Sequence, residues 1–247
     1  MRASIQPMAY NVISSSCQPP SLNYSIVEVS SCRADCRRVE QNRKSPITNL
    51  TNNSLKTTST WLPSPTDTKP YIVFKLENFF LGKLDHIKNI KKKYEIPILC
   101  KDFFIDTYQI ALAKSFGADC ILIILSAVDK MLAKDLYQTA NDLNISTLIE
   151  VHSETEAEIA LSFEDSLIGI NNRNLKTLKV SLDTSVKLSK ILHSHKNPLI
   201  SESGIVSAEN VKFIIENAKI RNFLIGESLL KSQNIGLKIK ELSQISV

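Results

Sequence analysis

From Tyr71 onward the sequence predicts an α/β fold on a parallel sheet and, among such folds, a (β/α)8 barrel. Three observations carry this. Short apolar, β-branched runs alternate with longer stretches of helical period. Each run and the stretch after it together occupy about 20 to 30 residues, the size of one βα repeat. Polar residues stand at the ends of five runs, where a barrel gathers them at one mouth and an open sheet strings them along an edge.

In chain order the runs are YIVF (71 to 74), PILC (97 to 100), CILIIL (120 to 125), TLIEV (147 to 151), LIGI (167 to 170), PLIS (198 to 201) and NFLIG (222 to 226). Helices are expected at 83 to 94, 106 to 116, 129 to 143, 154 to 162, 183 to 192, 207 to 217 and 235 to 243. Three of them have a residue in front that can cap free N–H groups: Asp106, Ser153 with Glu156 three residues on, and Ser207. Seven strands fit an open doubly wound sheet or a barrel one strand short; the placement of polar residues selects the barrel, with its first strand absent or atypical.

Residues 1–70 have a different texture. They are crowded with Ser, Thr, Asn and Pro, with Glu28, Asp35, Glu40 and Asp67 as their acids, and bury too little apolar surface to offset their ordering entropy. This segment is expected to be an atypical, disordered or unrelated extension of a single domain at 71–247. It is Ser-rich and Arg-bearing like an organelle transit peptide but has no clear amphipathic Arg helix, so the expected location is cytoplasmic, with organelle targeting the alternative. No apolar run is long enough to span a membrane. A net charge of +5, dispersed along the chain, suits a small anionic ligand better than nucleic acid. The five cysteines lack the spacing of a disulfide framework, and nothing near Cys32 and Cys36 completes a zinc signature, so no metal is expected.

The strand-end residues suggest chemistry. Lys101 follows PILC and, partly desolvated, would have a lowered pKa suited to proton donation, unless it is a surface ammonium paired with Asp102. Glu150 lies within an apolar run and needs a partner, which is either a ligand or a cation such as Arg173. Asn171, Asn172 and Arg173 put two amides and a guanidinium at one strand end, although either Asn could simply form a turn. Ser203-Gly204 and Gly226-Glu227-Ser228 put small residues after the last two runs, where barrel loops commonly hold phosphate; each glycine alone could equally serve a tight turn. His152 has no nucleophile beside it and is expected to pack or hydrogen-bond at the rim. The run IKNIKKK (87 to 93) reads as a solvated helix face.

The strings KDFFIDTYQ (101 to 109), GADCILII, LIEVH, IGINNRNLKT, SESGI and LIGESLL, in that order, resemble the indole-3-glycerol-phosphate synthase family, and FFLGKLDHIK (79 to 88) adds to the likeness. The ending LIGESLL alone would fit a sister barrel such as phosphoribosylanthranilate isomerase, but KDFFIDTYQ and GINNR would not. The resemblance implies a carboxy-lyase of tryptophan biosynthesis. Its reaction closes the ring of 1-(2-carboxyphenylamino)-1-deoxyribulose 5-phosphate with loss of carbon dioxide and water, without cofactor or metal. It implies Lys101 as general acid at the carbonyl oxygen, Glu150 as a proton carrier in the dehydration, and Asn171 and Ser203 as substrate hydrogen-bonders with Glu202 beside them. Arg173 would brace the carboxylates, Phe80, Phe103 and Leu175 would line the aromatic-ring pocket, and Gly204, Gly226 and Glu227 would give backbone donors to the phosphate. The expected state is a monomer, or a loose association with other enzymes of that pathway.

One departure bears on activity. The family's first strand normally carries Glu-x-Lys followed by Ser-Pro-Ser, and no such string occurs here. The nearest approach is SIVEVSS (25 to 31), with Glu28 at the position of the glutamate and Ser30 at that of the lysine that holds the substrate carboxylate. Lys75 and Leu76 likewise stand where the family shows Thr and an acid. The alternative expectation is therefore a catalytically impaired barrel that binds phosphate esters or assembles with other pathway proteins.

Overall fold

The structure, a computed structural model, describes residues 83–243 in full and, ahead of them, the backbones of two strands, Ser25–Ser30 and Ile72–Lys75. Phe80, Cys32 and Cys36 lie outside the described residues.

Eight parallel strands close into a barrel. They are β1 (Ser25–Ser30), β2 (Ile72–Lys75), β3 (Ile98–Lys101), β4 (Cys120–Ile124), β5 (Ser146–Val151), β6 (Leu167–Asn171), β7 (Leu199–Glu202) and β8 (Asn222–Ile225). Helices α1 (Leu84–Lys91), α2 (Thr107–Ser115), α3 (Lys130–Asp142), α4 (Glu154–Ala160), α5 (Asp183–Ile191), α6 (Ala208–Ala218), α7 (Glu227–Leu230) and α8 (Ile235–Ser243) follow the strands from β2 onward. Every predicted strand is present. The eighth comes from inside the segment that composition sets apart: SIVEVS pairs with β2 on one side and β8 on the other, which leaves the sheet without an edge. Three β-branched residues, Ile26, Val27 and Val29, interrupted by Glu28, are too short a signal within that polar tract to read as a strand from periodicity.

The caps act as expected, each worth about 1 kcal/mol. Asp106 accepts the Tyr108 N–H at 2.8 Å, Ser153 accepts the Glu156 N–H at 3.3 Å, and the Asn210 side chain accepts the Ser207 N–H at 3.2 Å. Glu156 reaches one residue further back than a simple capping box would, accepting the His152 N–H at 2.7 Å. The short helix α7 was not anticipated; four residues are too few to show a helical period.

Two apolar layers hold the barrel. A large outer cluster joins the strands to the helices through residues such as Ile98, Ile121, Ile149, Ile168 and Phe223, all buried. A smaller one fills the interior: Leu99, Cys120, Leu122, Ile124, Leu148, Leu167, Ile200 and Leu224. Among the described residues no helix is long and apolar enough to cross a membrane.

Candidate active site

Side chains alternate along a strand, and this alone decides what reaches the mouth. Leu99, Leu148, Ile200 and Leu224 belong to the interior layer. Two residues further along each strand, Lys101, Glu150, Glu202 and Gly226 therefore face the same way, one layer nearer the carboxyl ends. On β6 the inward series runs Leu167, Gly169, Asn171. Lys101, Glu150, Asn171, Glu202 and Gly226 line a cavity of ≈ 1040 Å³, floored by Leu122, Ile124 and Leu224.

At its centre Lys101 Nζ lies 2.6 Å from Oε2 of Glu150 and 3.1 Å from Oε2 of Glu202. Asn171 Nδ2 donates to Oε1 of Glu150 at 3.0 Å, and Nε2 of His152 stands 3.2 Å from the same oxygen, off the line of a good hydrogen bond. The lowered pKa expected of Lys101 is overturned: burial does oppose the charge, but the two carboxylates outweigh it and hold the ammonium above its ordinary range. The surface pairing with Asp102 is not formed, since Asp102 Oδ1 accepts the Phe103 N–H at 2.9 Å.

The two carboxylates are driven apart by their surroundings. Burial would push Glu150 up, but Lys101, His152 and Asn171 together hold it well below the usual carboxylate range. Glu202, also desolvated, shares Lys101 and faces the charge of Glu150, and is pushed up to about 7. Its Oε1 is buried without a hydrogen-bond partner among the described residues. Beneath it lies Gly169, where an added methyl would overlap the Glu202 carboxylate. A glycine inside an apolar strand was the sequence signal of this close approach, and it was missed.

Arg173 turns away from the carboxylates. Its Nη2 donates to Glu227 Oε2 at 2.7 Å, and Lys231 holds the other oxygen of Glu227 at 2.6 Å. The bracing expected of Arg173 is supplied here by Lys101, Asn171 and His152. Phe103 and Leu175, each 43% exposed, stand on the cavity wall.

The far wall is made of the two small-residue loops. Ser203 and Gly204 both have positive φ, 67° and 77°, and Gly204 packs so closely on Val180 that a Cβ there would overlap it. Gly226 precedes α7, and Ser228 Oγ donates to the Ile205 carbonyl at 2.8 Å, tying the loop after β8 to the loop after β7. Among the described residues no group of three or more His, Cys, Asp or Glu is placed to hold a metal.

The family model for indole-3-glycerol phosphate synthase matches residues 72–242. The chain belongs to that family. It is 40% identical over 166 residues to the indole-3-glycerol phosphate synthase of Polaromonas naphthalenivorans, covering 67% of this chain and 62% of that one. To its counterpart in Legionella pneumophila strain Lens it is 41% identical over 164 residues, 66% of this chain and 63% of that one. The chain thus spans about three-fifths of the length of these relatives. Two solved structures share the fold at low identity: 3-hexulose-6-phosphate synthase from Salmonella typhimurium (TM-score 0.59, 14% identity, 70% of this chain and 84% of that chain) and a variant tryptophan synthase α-subunit from Pyrococcus furiosus (TM-score 0.58, 13% identity, 72% and 87%).

Proposed function

We propose that the chain is an indole-3-glycerol-phosphate synthase, a carboxy-lyase acting on 1-(2-carboxyphenylamino)-1-deoxyribulose 5-phosphate. The observation that carries this is the buried ammonium of Lys101 held between Glu150 and Glu202 at the centre of a mouth whose far wall is two glycine loops. Seated with its phosphate on Gly204 and Gly226, the substrate would bring its carbonyl oxygen toward Lys101, which is charged at neutral pH and gives up a proton as the ring carbon attacks. A carbon–carbon bond forms, carbon dioxide leaves that ring carbon, and the new hydroxyl later departs as water as a proton is taken from the adjacent carbon. Glu150 is ionised and able to accept that proton. Phe103 and Leu175 offer the apolar wall for the aromatic ring.

A second reading, an impaired barrel that binds phosphate esters, has its own support. Val27 of β1 pairs with Leu224, an inward residue, whereas Glu28 pairs with Ile225 of the outer layer. Glu28 and Ser30 therefore occupy register positions that alternate with the inward set, so the Glu-x-Lys alignment has no inward position to fill. Purified full-length chain given the substrate separates the two readings. Formation of an indole product supports the synthase, and saturable binding without product supports the impaired barrel.

A further inference from the structure

The two asparagines after β6 part company: Asn171 turns into the mouth, and Asn172 turns outward into the layer between strands and helices, where it is 2% exposed. Every polar atom of the Asn172 side chain is satisfied. Nδ2 donates to Ser201 Oγ at 3.0 Å and to the Ser203 carbonyl at 3.1 Å, while Oδ1 accepts from Ser185 N at 3.1 Å and Ser185 Oγ at 2.9 Å. Its own N–H donates to the Glu202 carbonyl at 2.8 Å.

The Ser203 carbonyl and the Gly204 N–H belong to one peptide plane and point in opposite directions. A grip on the carbonyl from the outer layer therefore aims the N–H toward the cavity that Gly204 lines. Ser203 is a non-glycine residue in the left-handed region, a conformation that costs roughly 1–2 kcal/mol, about what one or two buried hydrogen bonds offset. Without the grip, the peptide is free to turn over.

We propose that Asn172 is a positioning residue that holds the Ser203–Gly204 peptide so that the Gly204 amide is presented to the substrate's phosphate. The inference rests on the phosphate site of the proposed function but not on turnover, so inorganic phosphate serves as the probe.

In full-length chain, Asn172→Ala is expected to weaken inorganic phosphate about tenfold while kcat at saturating substrate stays within about threefold, the pattern of lost ligand positioning. Asn172→Asp keeps the shape and the Ser185 contacts but turns an acceptor on the Ser203 carbonyl; it tests the same grip if the alanine variant folds poorly. Ser185→Ala weakens the other side of the same amide and is expected to lower thermal stability while leaving phosphate affinity within about twofold. The chain has six glycines, so isotopic labelling of glycine nitrogen isolates the Gly204 amide; its resonance should shift on phosphate addition in the parent and not in Asn172→Ala. Equal phosphate affinity in the parent and both Asn172 variants overturns the positioning role alone. A parent that binds no phosphate overturns it together with the phosphate site.

Discussion

Lys101 Nζ lies 3.1 Å from Oε2 of Glu202, whose other oxygen is buried without a partner among the described residues. One ammonium serves two buried carboxylates, and the nearer of them, Glu150 at 2.6 Å, takes the larger share. Glu202, raised to about 7 by burial and by its acidic neighbour, keeps its proton more tightly in the folded than in the unfolded state. Its contribution to stability is complete below the ordinary carboxylate range and is lost as pH rises through about 7. Glu202→Gln removes that loss. The variant should gain on the parent by roughly 2 kcal/mol, or about 4–8 °C in Tm, between pH 5 and pH 8. A Tm difference that is the same at both pH values would show that Glu202 does not titrate in this window.

Lys101→Met should abolish turnover, by about a thousandfold or more, while inorganic phosphate binds within about threefold of the parent, because the glycine loops proposed to hold phosphate lie on the opposite wall. The substitution also leaves Glu150 and Glu202 facing each other without their shared cation, so the variant should lose stability as pH rises. An equal loss of phosphate affinity and turnover would contradict the assignment.

Gly169 gives the Glu202 carboxylate its room. Gly169→Ala should push that carboxylate off Lys101 and cut kcat about a hundredfold, with a loss of about 1–3 kcal/mol in stability. Unaltered kcat in a folded variant would mean that the carboxylate's position is immaterial to the chemistry.

His152 is loaded from two sides. Burial lowers its pKa, but Glu150 and Glu156 outweigh burial and raise it to about 9. Ser126 Oγ stands 3.5 Å from Nδ1, and Arg173 and Lys179 line the adjoining cavity. With a folded value above the unfolded one, the charged ring stabilises fully below its ordinary pKa, and the effect disappears as pH rises through about 9. His152→Gln should therefore cost about 1–2 kcal/mol at pH 6 and close to nothing at pH 10. Chemical denaturation at the two pH values decides; a cost independent of pH would leave only packing.

Much of this was readable because a barrel strand is a ruler. The spacing Leu99-x-Lys101, Leu148-x-Glu150 and Ile200-x-Glu202 sets an interior apolar residue below each mouth residue, so strand ends and site residues were legible together. Partner choice was not. Whether Glu150 meets Lys101 or Arg173 depends on the stagger between strands far apart in sequence, and Asp102, just past the end of β3, turns its carboxylate to the Phe103 N–H rather than to Lys101. Asn171 and Asn172 likewise looked equivalent in sequence, yet the alternation sends one to the mouth and the other to the helices.

The first strand offers the sharpest test of that ruler. Ser30 pairs with Phe74, which pairs with Cys100 of the outer layer, while Val29 pairs with Val73, which pairs with Leu99 of the interior. A lysine at position 30 therefore takes a register position that alternates with the inward set, although the sequence alignment would put it in the place of the family's carboxylate-holding residue. Ser30→Lys should leave kcat/KM within about twofold of the parent, because position 30 lies off the inward register series. A rise of tenfold or more would mean that β1 sits one residue out of this register in solution, since a one-residue slip exchanges the two faces of the whole strand. It would also restore the Glu-x-Lys alignment, with Glu28 moving to an inward position alongside the new lysine.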